Sequence, residues 1–122
     1  MAFRKHYDLR VWQDGIALVK LVYGLCEHLP KDELYGLTSQ LRRASVSVPV
    51  NIAEGAARNG RKEFSHYLII ARGSLSEVDT LLIICNELGY LAKEQTEPVL
   101  KQLHLLLGAL GALIKQQREA VP

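Results

Sequence analysis

The sequence predicts an all-α protein, folded as an antiparallel up-down-up-down four-helix bundle. Three observations predict it. Of the 122 residues, 48% are hydrophobic but only 7% aromatic, so the apolar content is mainly Leu, Ile, Val and Ala, which suits helix packing. Apolar residues recur at three- and four-residue spacing in four segments, and no run alternates as a half-buried strand does. Short turns marked by Pro or Gly separate those segments, and short turns make successive helices antiparallel neighbours. One domain over residues 1–122 is expected, because a chain of this length encloses one core but not two. Its helices are expected at about 9–28, 33–58, 61–88 and 94–117.

Residues 1–7 read as a short tail with Arg4, Lys5 and His6, and Asp8 suits the cap of the first helix. In that helix Leu9, Trp12, Ile16, Val19, Tyr23 and Cys26 share a face, which is taken as the core face. Leu18, Val22, Leu25 and Leu29 widen it. Pro30 ends the helix.

The second segment carries two apolar stripes. At about 100° per residue, Leu37, Leu41, Ala44, Val48 and Ile52 fall on one face. Val46, Val50, Ala53 and Ala57 fall nearly opposite, and Arg43, Ser47, Asn51, Glu54 and Arg58 run down one flank. A helix on the surface of a lone bundle needs only one apolar stripe. The second stripe therefore predicts an oligomer, with Val46, Val50, Ala53, Ala57, Arg43, Asn51 and Glu54 as candidate interface residues. Glu54 and Arg58 are spaced to pair along the helix. Pro49 removes one backbone hydrogen bond. Both stripes keep their phase across it, so a kinked but continuous helix is preferred to a break, with Ser45 and Ser47 placed to help satisfy the freed carbonyls.

Asn59 and Gly60 make a tight turn. The third helix has the spine Phe64, Leu68, Ala71, Leu75, Val78, Leu82 and Cys85, spaced alternately four and three. Gly89 stops it. The fourth tolerates Pro98 near its start and buries Leu100, Leu103, Leu107, Leu110 and Ile114.

Chemistry-bearing motifs are scarce. Glu63 and His66 form one E-x-x-H pair, whereas a di-iron bundle needs two pairs and two further carboxylates. No phosphate-binding loop, nucleophile elbow or paired CxxC occurs. Cys26 and Cys85 lie far apart on apolar faces and read as small buried hydrophobes. No enzyme activity, metal or cofactor is expected. Met1 to His6 lacks the apolar run of a signal peptide, and the longest apolar run, Leu105 to Ile114, is far short of the ~20 residues that cross a bilayer. A cytoplasmic protein without a membrane partner is expected.

The runs QLRRASVSVPVNIAEGAARNGRKEF and YLIIARGSLSEVDTLLIICNELGYL resemble the four-helix-bundle protein family named for intervening sequences of bacterial 23S ribosomal RNA genes. The most specific residues are Ser47, Pro49, Asn51, Ile52, Ala53, Glu54 and Gly55, in the pattern S-x-P-x-N-I-A-E-G. Leu9, Val11, Trp12 and Gln13 are also similar. The resemblance covers residues 9 to about 91. It implies a left-handed up-down bundle assembled into a ring, typically a homopentamer, with no established enzymatic activity. A related bundle, the accessory variability determinant of diversity-generating retroelements, is likewise pentameric and engages a reverse transcriptase and nucleic acid.

Net charge is only +2, below that of a dedicated nucleic-acid binder, so any such role must come from charge placement. In an up-down bundle one end collects Arg4, Lys5, Arg10, Arg58, Arg61, Lys62, Lys115 and Arg118, which outnumber Asp8, Asp14, Glu54, Glu63 and Glu119. Arg58, Arg61 and Lys62, supported by Arg4 and Lys5, are the candidate contacts to RNA or DNA. The alternative is a protein-interaction scaffold with no nucleic-acid role.

Overall fold

The computed structural model describes residues 6–119. Four helices run up, down, up and down: α1 (Arg10–Cys26), α2 (Leu37–Ala57), α3 (Arg61–Glu87) and α4 (Lys93–Glu119). The backbones of α1 and α2, α2 and α3, α3 and α4, and α4 and α1 run close together, and those of the diagonal pairs stand farther apart. The helices therefore stand at the corners of a square around one core. Val22, Leu41, Val48, Ile52, Leu68, Leu75, Leu82, Leu103 and Leu110 are fully buried within it or nearly so. The whole predicted α3 spine is buried except Phe64, which is half-buried.

The core face of α1 differs from expectation. Val11, Gly15, Leu18, Val22, Leu25 and Cys26 are buried, whereas Ile16 and Tyr23 stand 40% exposed and Trp12 and Val19 are half-buried. Of that stripe, Tyr23 lies beside α2, and Trp12 packs against the rings of His6 and Tyr7. Asp8 does not cap α1. Leu9 occupies the N-cap, because residues 6–8 form a short turn in which the Tyr7 and Trp12 rings stack at 5.3 Å and Tyr7 O accepts from Gln13 Nε2 at 2.8 Å.

Helix α2 begins at Leu37, later than expected, because Lys31–Glu33 forms a separate 3-10 turn. Glu33 then caps it: its Oε1 accepts from Leu37 N at 3.1 Å. The other carboxylate oxygen accepts from the Tyr90 hydroxyl at 3.2 Å, tying this turn to the α3–α4 connection. Helix α2 is continuous through Pro49. The two serines do not serve the carbonyl that Pro49 leaves without a donor. Ser45 Oγ donates to Arg42 O at 3.1 Å, and Ser47 Oγ pairs with Ser74 Oγ at 2.8 Å.

Helix α4 opens with half of a capping box, in which Gln95 Oε1 accepts from Ala92 N at 2.8 Å. By length and composition α4 is apolar enough to cross a membrane. Here Val99, Leu103, Leu106, Leu110 and Ile114 face the core, while Lys101, Gln102 and His104 project outward.

Candidate nucleic-acid interface

The turn between α2 and α3 builds the basic end. Helix α2 stops at Ala57 because Arg58 is extended, with φ −81° and ψ 162°. Gly60 has φ 97°, a left-handed conformation that glycine adopts without the Cβ penalty. The chain reverses there, and α3 starts at Arg61. Arg58, Arg61 and Lys62 are thus brought to one end and are all exposed. Arg4 and Lys5 lie outside the described residues.

The three cations are not equivalent. Arg58 Nη2 donates to the Tyr67 hydroxyl at 3.0 Å and to Glu54 Oε2 at 3.4 Å, and its guanidinium lies 5.2 Å from the Tyr67 ring centroid. Its direction is fixed and its charge partly balanced. Among the described residues, Arg61, Lys62 and Arg118 have no ion-pair partner, whereas Arg10 pairs with Asp14 at 3.1 Å and Lys115 with Glu119 at 3.7 Å. Two recesses flank Arg61. One, of about 300 Å³, is lined by Arg58, Gly60, Arg61 and Phe64 with Leu9 and Gln117. The other, of about 400 Å³, lies between α3 and α4 and includes Lys62, His66 and Arg118. Among the described residues, no carboxylate lines either. Arginine and lysine charges of this kind suit phosphate oxygens.

The candidate interface residues divide into two groups. Arg43, Asn51 and Glu54 make contacts within the chain. Asn51 Nδ2 donates to Ser47 O at 2.8 Å and to Ser47 Oγ at 2.9 Å, and Arg43 Nη2 donates to Ser39 Oγ at 3.1 Å. With Ser47–Ser74, these bonds make a polar seam along α2, joined to α3. Val46 and Val50 instead point outward, Val50 at 52% exposure, with Ala57 exposed and Ala53 half-buried. Tyr23 of α1 reaches α2, where the Arg42 guanidinium lies 5.2 Å over its ring. Tyr23, Val46 and Val50 are thus exposed apolar residues of the neighbouring helices α1 and α2.

Glu63 and His66 are both exposed, and no group of three or more His, Cys, Asp or Glu is placed to hold a metal among the described residues. Cys26 and Cys85 are free and buried. Burial pushes the Cys85 thiol up to about 11, helped by Cys26 and Glu33. Burial also raises Cys26, against the opposing pull of the Arg42 guanidinium.

The family model described as the 23S rRNA-intervening sequence protein matches residues 7–112. The chain belongs to that family. The solved structures include a similar fold, a protein of unknown function from the S23 ribosomal protein family of Bacteroides thetaiotaomicron VPI-5482. Its TM-score is 0.80 at 22% identity, over 86% of this chain and 98% of that one. At that identity the likeness shows the fold alone. No curated protein matches the sequence. Within the matched residues, the S-x-P-x-N-I-A-E-G run lies on α2, where Asn51 and Ser47 build the polar seam and Gly55 adjoins α3.

Sequence reasoning did not single out Ser65 or the recess it shares with Arg118. A signal was present: Ser65 lies four residues before Ile69, on the side of α3 turned toward α4, and the up-down order brings Arg118 to the same end. A groove of about 630 Å³ between α3 and α4, lined by Ile83, Leu100 and Leu105, contains none of the nominated residues.

Proposed function

We propose that this member of the 23S rRNA-intervening sequence family is a non-catalytic cytoplasmic homo-oligomer that associates with nucleic acid through its basic end. The observation carrying this reading is the convergence of exposed Arg58, Arg61 and Lys62 around two recesses that no carboxylate of the described residues lines. They contact phosphates and confer no base specificity.

The exposed apolar residues of α1 and α2 support self-association, and the resemblance favours a pentameric ring. A ring repeats the weak basic patch around one rim, and multivalent contact converts weak sites into useful affinity.

The test replaces Arg58, Arg61 and Lys62 together by Gln and measures gel shifts with RNA and DNA over a salt series. The wild type binds with a steep salt dependence, and the variant binds more weakly with a shallower slope. Equal affinity and slope would remove the basic end as the site. The second reading, a protein scaffold, draws on the opposite end, where Tyr35 is 92% exposed beside Leu34. Absence of any nucleic-acid binding at low salt favours it.

A further inference from the structure

Ser65 is 7% exposed, and its hydroxyl has no hydrogen-bond partner among the described residues. Hydroxyls inside helices commonly return to a carbonyl of the preceding turn. Ser45 does so onto Arg42 O at 3.1 Å, and Thr80 onto Ser76 O at 2.9 Å. Ser65 instead lines the recess of about 400 Å³ between the start of α3 and the end of α4, with Arg61, Lys62, His66, Ile69 and Arg118. The Ser65 hydroxyl opens to the recess and is not sealed in the core, so it is free to donate to whatever enters there.

We infer that this recess binds a phosphomonoester, the terminal phosphate of a nucleic-acid strand or of a free nucleotide. The inference rests on the nucleic-acid reading for the source of its ligand, and on the recess for its chemistry. Arg61, Lys62 and Arg118 supply cationic charge that no carboxylate in the lining neutralises. Ser65 supplies a neutral donor to a phosphoryl oxygen. Helix α3 also begins there without a side-chain cap, so its first N–H groups and its dipole favour an anion.

Charge selects the monoester. An internal phosphate carries one negative charge and continues into the chain on both sides. A terminal one approaches two charges near neutral pH, as phosphorylated side chains do, and enters a recess end-on. The volume, about 400 Å³, lies within the range of small-ligand pockets, the scale of a nucleoside monophosphate. Arg61 also lines the neighbouring recess with Arg58, which gives the adjoining backbone of a strand a continuous basic path.

The experiment uses the full chain as wild type, Arg118→Gln and Ser65→Ala, with light scattering to check assembly. Fluorescence anisotropy compares one short RNA carrying a 5′-phosphate with the same RNA carrying a 5′-hydroxyl. NMR titration with adenosine monophosphate forms the second arm. The 5′-phosphate is expected to tighten binding about tenfold, the scale of one or two charge-assisted hydrogen bonds. Arg118→Gln erases that preference while affecting the 5′-hydroxyl RNA much less, and Ser65→Ala reduces it. Equal binding of the two RNAs by the wild type, or a preference that survives Arg118→Gln, overturns the inference while leaving nucleic-acid association intact. If neither RNA binds but adenosine monophosphate does, and Arg118→Gln abolishes it, the recess stands with a free nucleotide as its ligand and the nucleic-acid reading falls. If nothing binds, both fall.

Discussion

Gly55 of α2 lies so close to Tyr67 of α3 that a Cβ on the glycine would stand 2.8 Å from the tyrosine Cβ. The same Cβ would meet Phe64 Cδ1 at 3.0 Å and Phe64 O at 3.3 Å. Neither a Cβ nor a backbone oxygen can swing aside, so a methyl group there forces the helices apart. This approach also sets the Tyr67 hydroxyl within 3.0 Å of Arg58. Gly55→Ala should destabilise by ~1–2 kcal/mol, the overpacking cost less the helix-propensity gain. A urea denaturation curve measures it. Gly15 provides the contrast. Its added Cβ would lie 3.4 Å from Pro49 Cβ, an ordinary contact, and Gly15→Ala should stay within ~1 kcal/mol of wild type. Equal effects of the two changes would refute this packing argument.

The two glycines also mark where the sequence was legible and where it was not. Helix α3 has a regular apolar spine, and that spine is the core. Helix α1 has two apolar stripes, and periodicity alone does not say which one faces the chain's own core. The stripe of Trp12, Ile16, Val19 and Tyr23 has good helical spacing, yet the buried line passes through Gly15, which carries no hydrophobic signal. Pro49 was an anomaly on paper. In the fold it is a buried surface against Gly15, and the helix continues through it. Arg58, Arg61 and Lys62 were legible because up-down order alone places them at one end. The recess around Ser65 depends on how α3 packs beside α4, which composition does not encode.

Val50→Asp should separate assembly from folding. Val50 is 52% exposed in the single chain, so a carboxylate there stays hydrated in the monomer. Buried in a contact between copies, the same charge would lack a partner and cost several kcal/mol unless protonated. The expected outcome is an unchanged circular dichroism spectrum with a lower mass by light scattering. Val48→Asp, at a position with no exposure, should instead fail to fold. A Val50→Asp protein that keeps the wild-type oligomer mass would place the interface elsewhere.

Stability should fall with alkaline pH, beginning near pH 9. Burial raises the Cys85 thiol from 9.0 to about 11 and Cys26 in the same direction. The hydrogen bond to Glu33, with some burial, raises the Tyr90 phenol above 10.0. Above pH 9 the unfolded chain releases its thiol protons while the folded chain keeps them, so the unfolded state gains. The thiol contribution is complete below pH 9 and disappears as pH passes about 11. Tyr90 adds to the decline above pH 10. Unfolding free energies at intervals from pH 8 to pH 11 would trace this slope, and Cys85→Ala should flatten its first part. An identical slope in that variant would detach Cys85 from the effect.

Glu54→Gln should strengthen nucleic-acid binding. Glu54 Oε2 lies 3.4 Å from Arg58 Nη2, close enough to offset part of the charge offered to a phosphate. The amide keeps a carbonyl oxygen near the guanidinium and nearly the same shape, so the direction of Arg58 is preserved. Tyr67 continues to hold it by the 3.0 Å bond to its hydroxyl. The exposed pair itself contributes little to stability, within ~1 kcal/mol, so the fold should not change measurably. In a polyanion complex of the proposed oligomer, however, removal of one repelling carboxylate per subunit would act at every copy. The expected result is a several-fold higher affinity for RNA at low salt, narrowing as salt screens the charge. Glu54 also lies among the residues nominated for self-association, so the oligomer mass must be measured on the same sample. A variant with wild-type mass and unchanged or weaker binding would show that Arg58 does not meet the phosphates. A parallel change at Glu77, which lies beside Arg43 away from the basic end, should leave RNA binding unaltered.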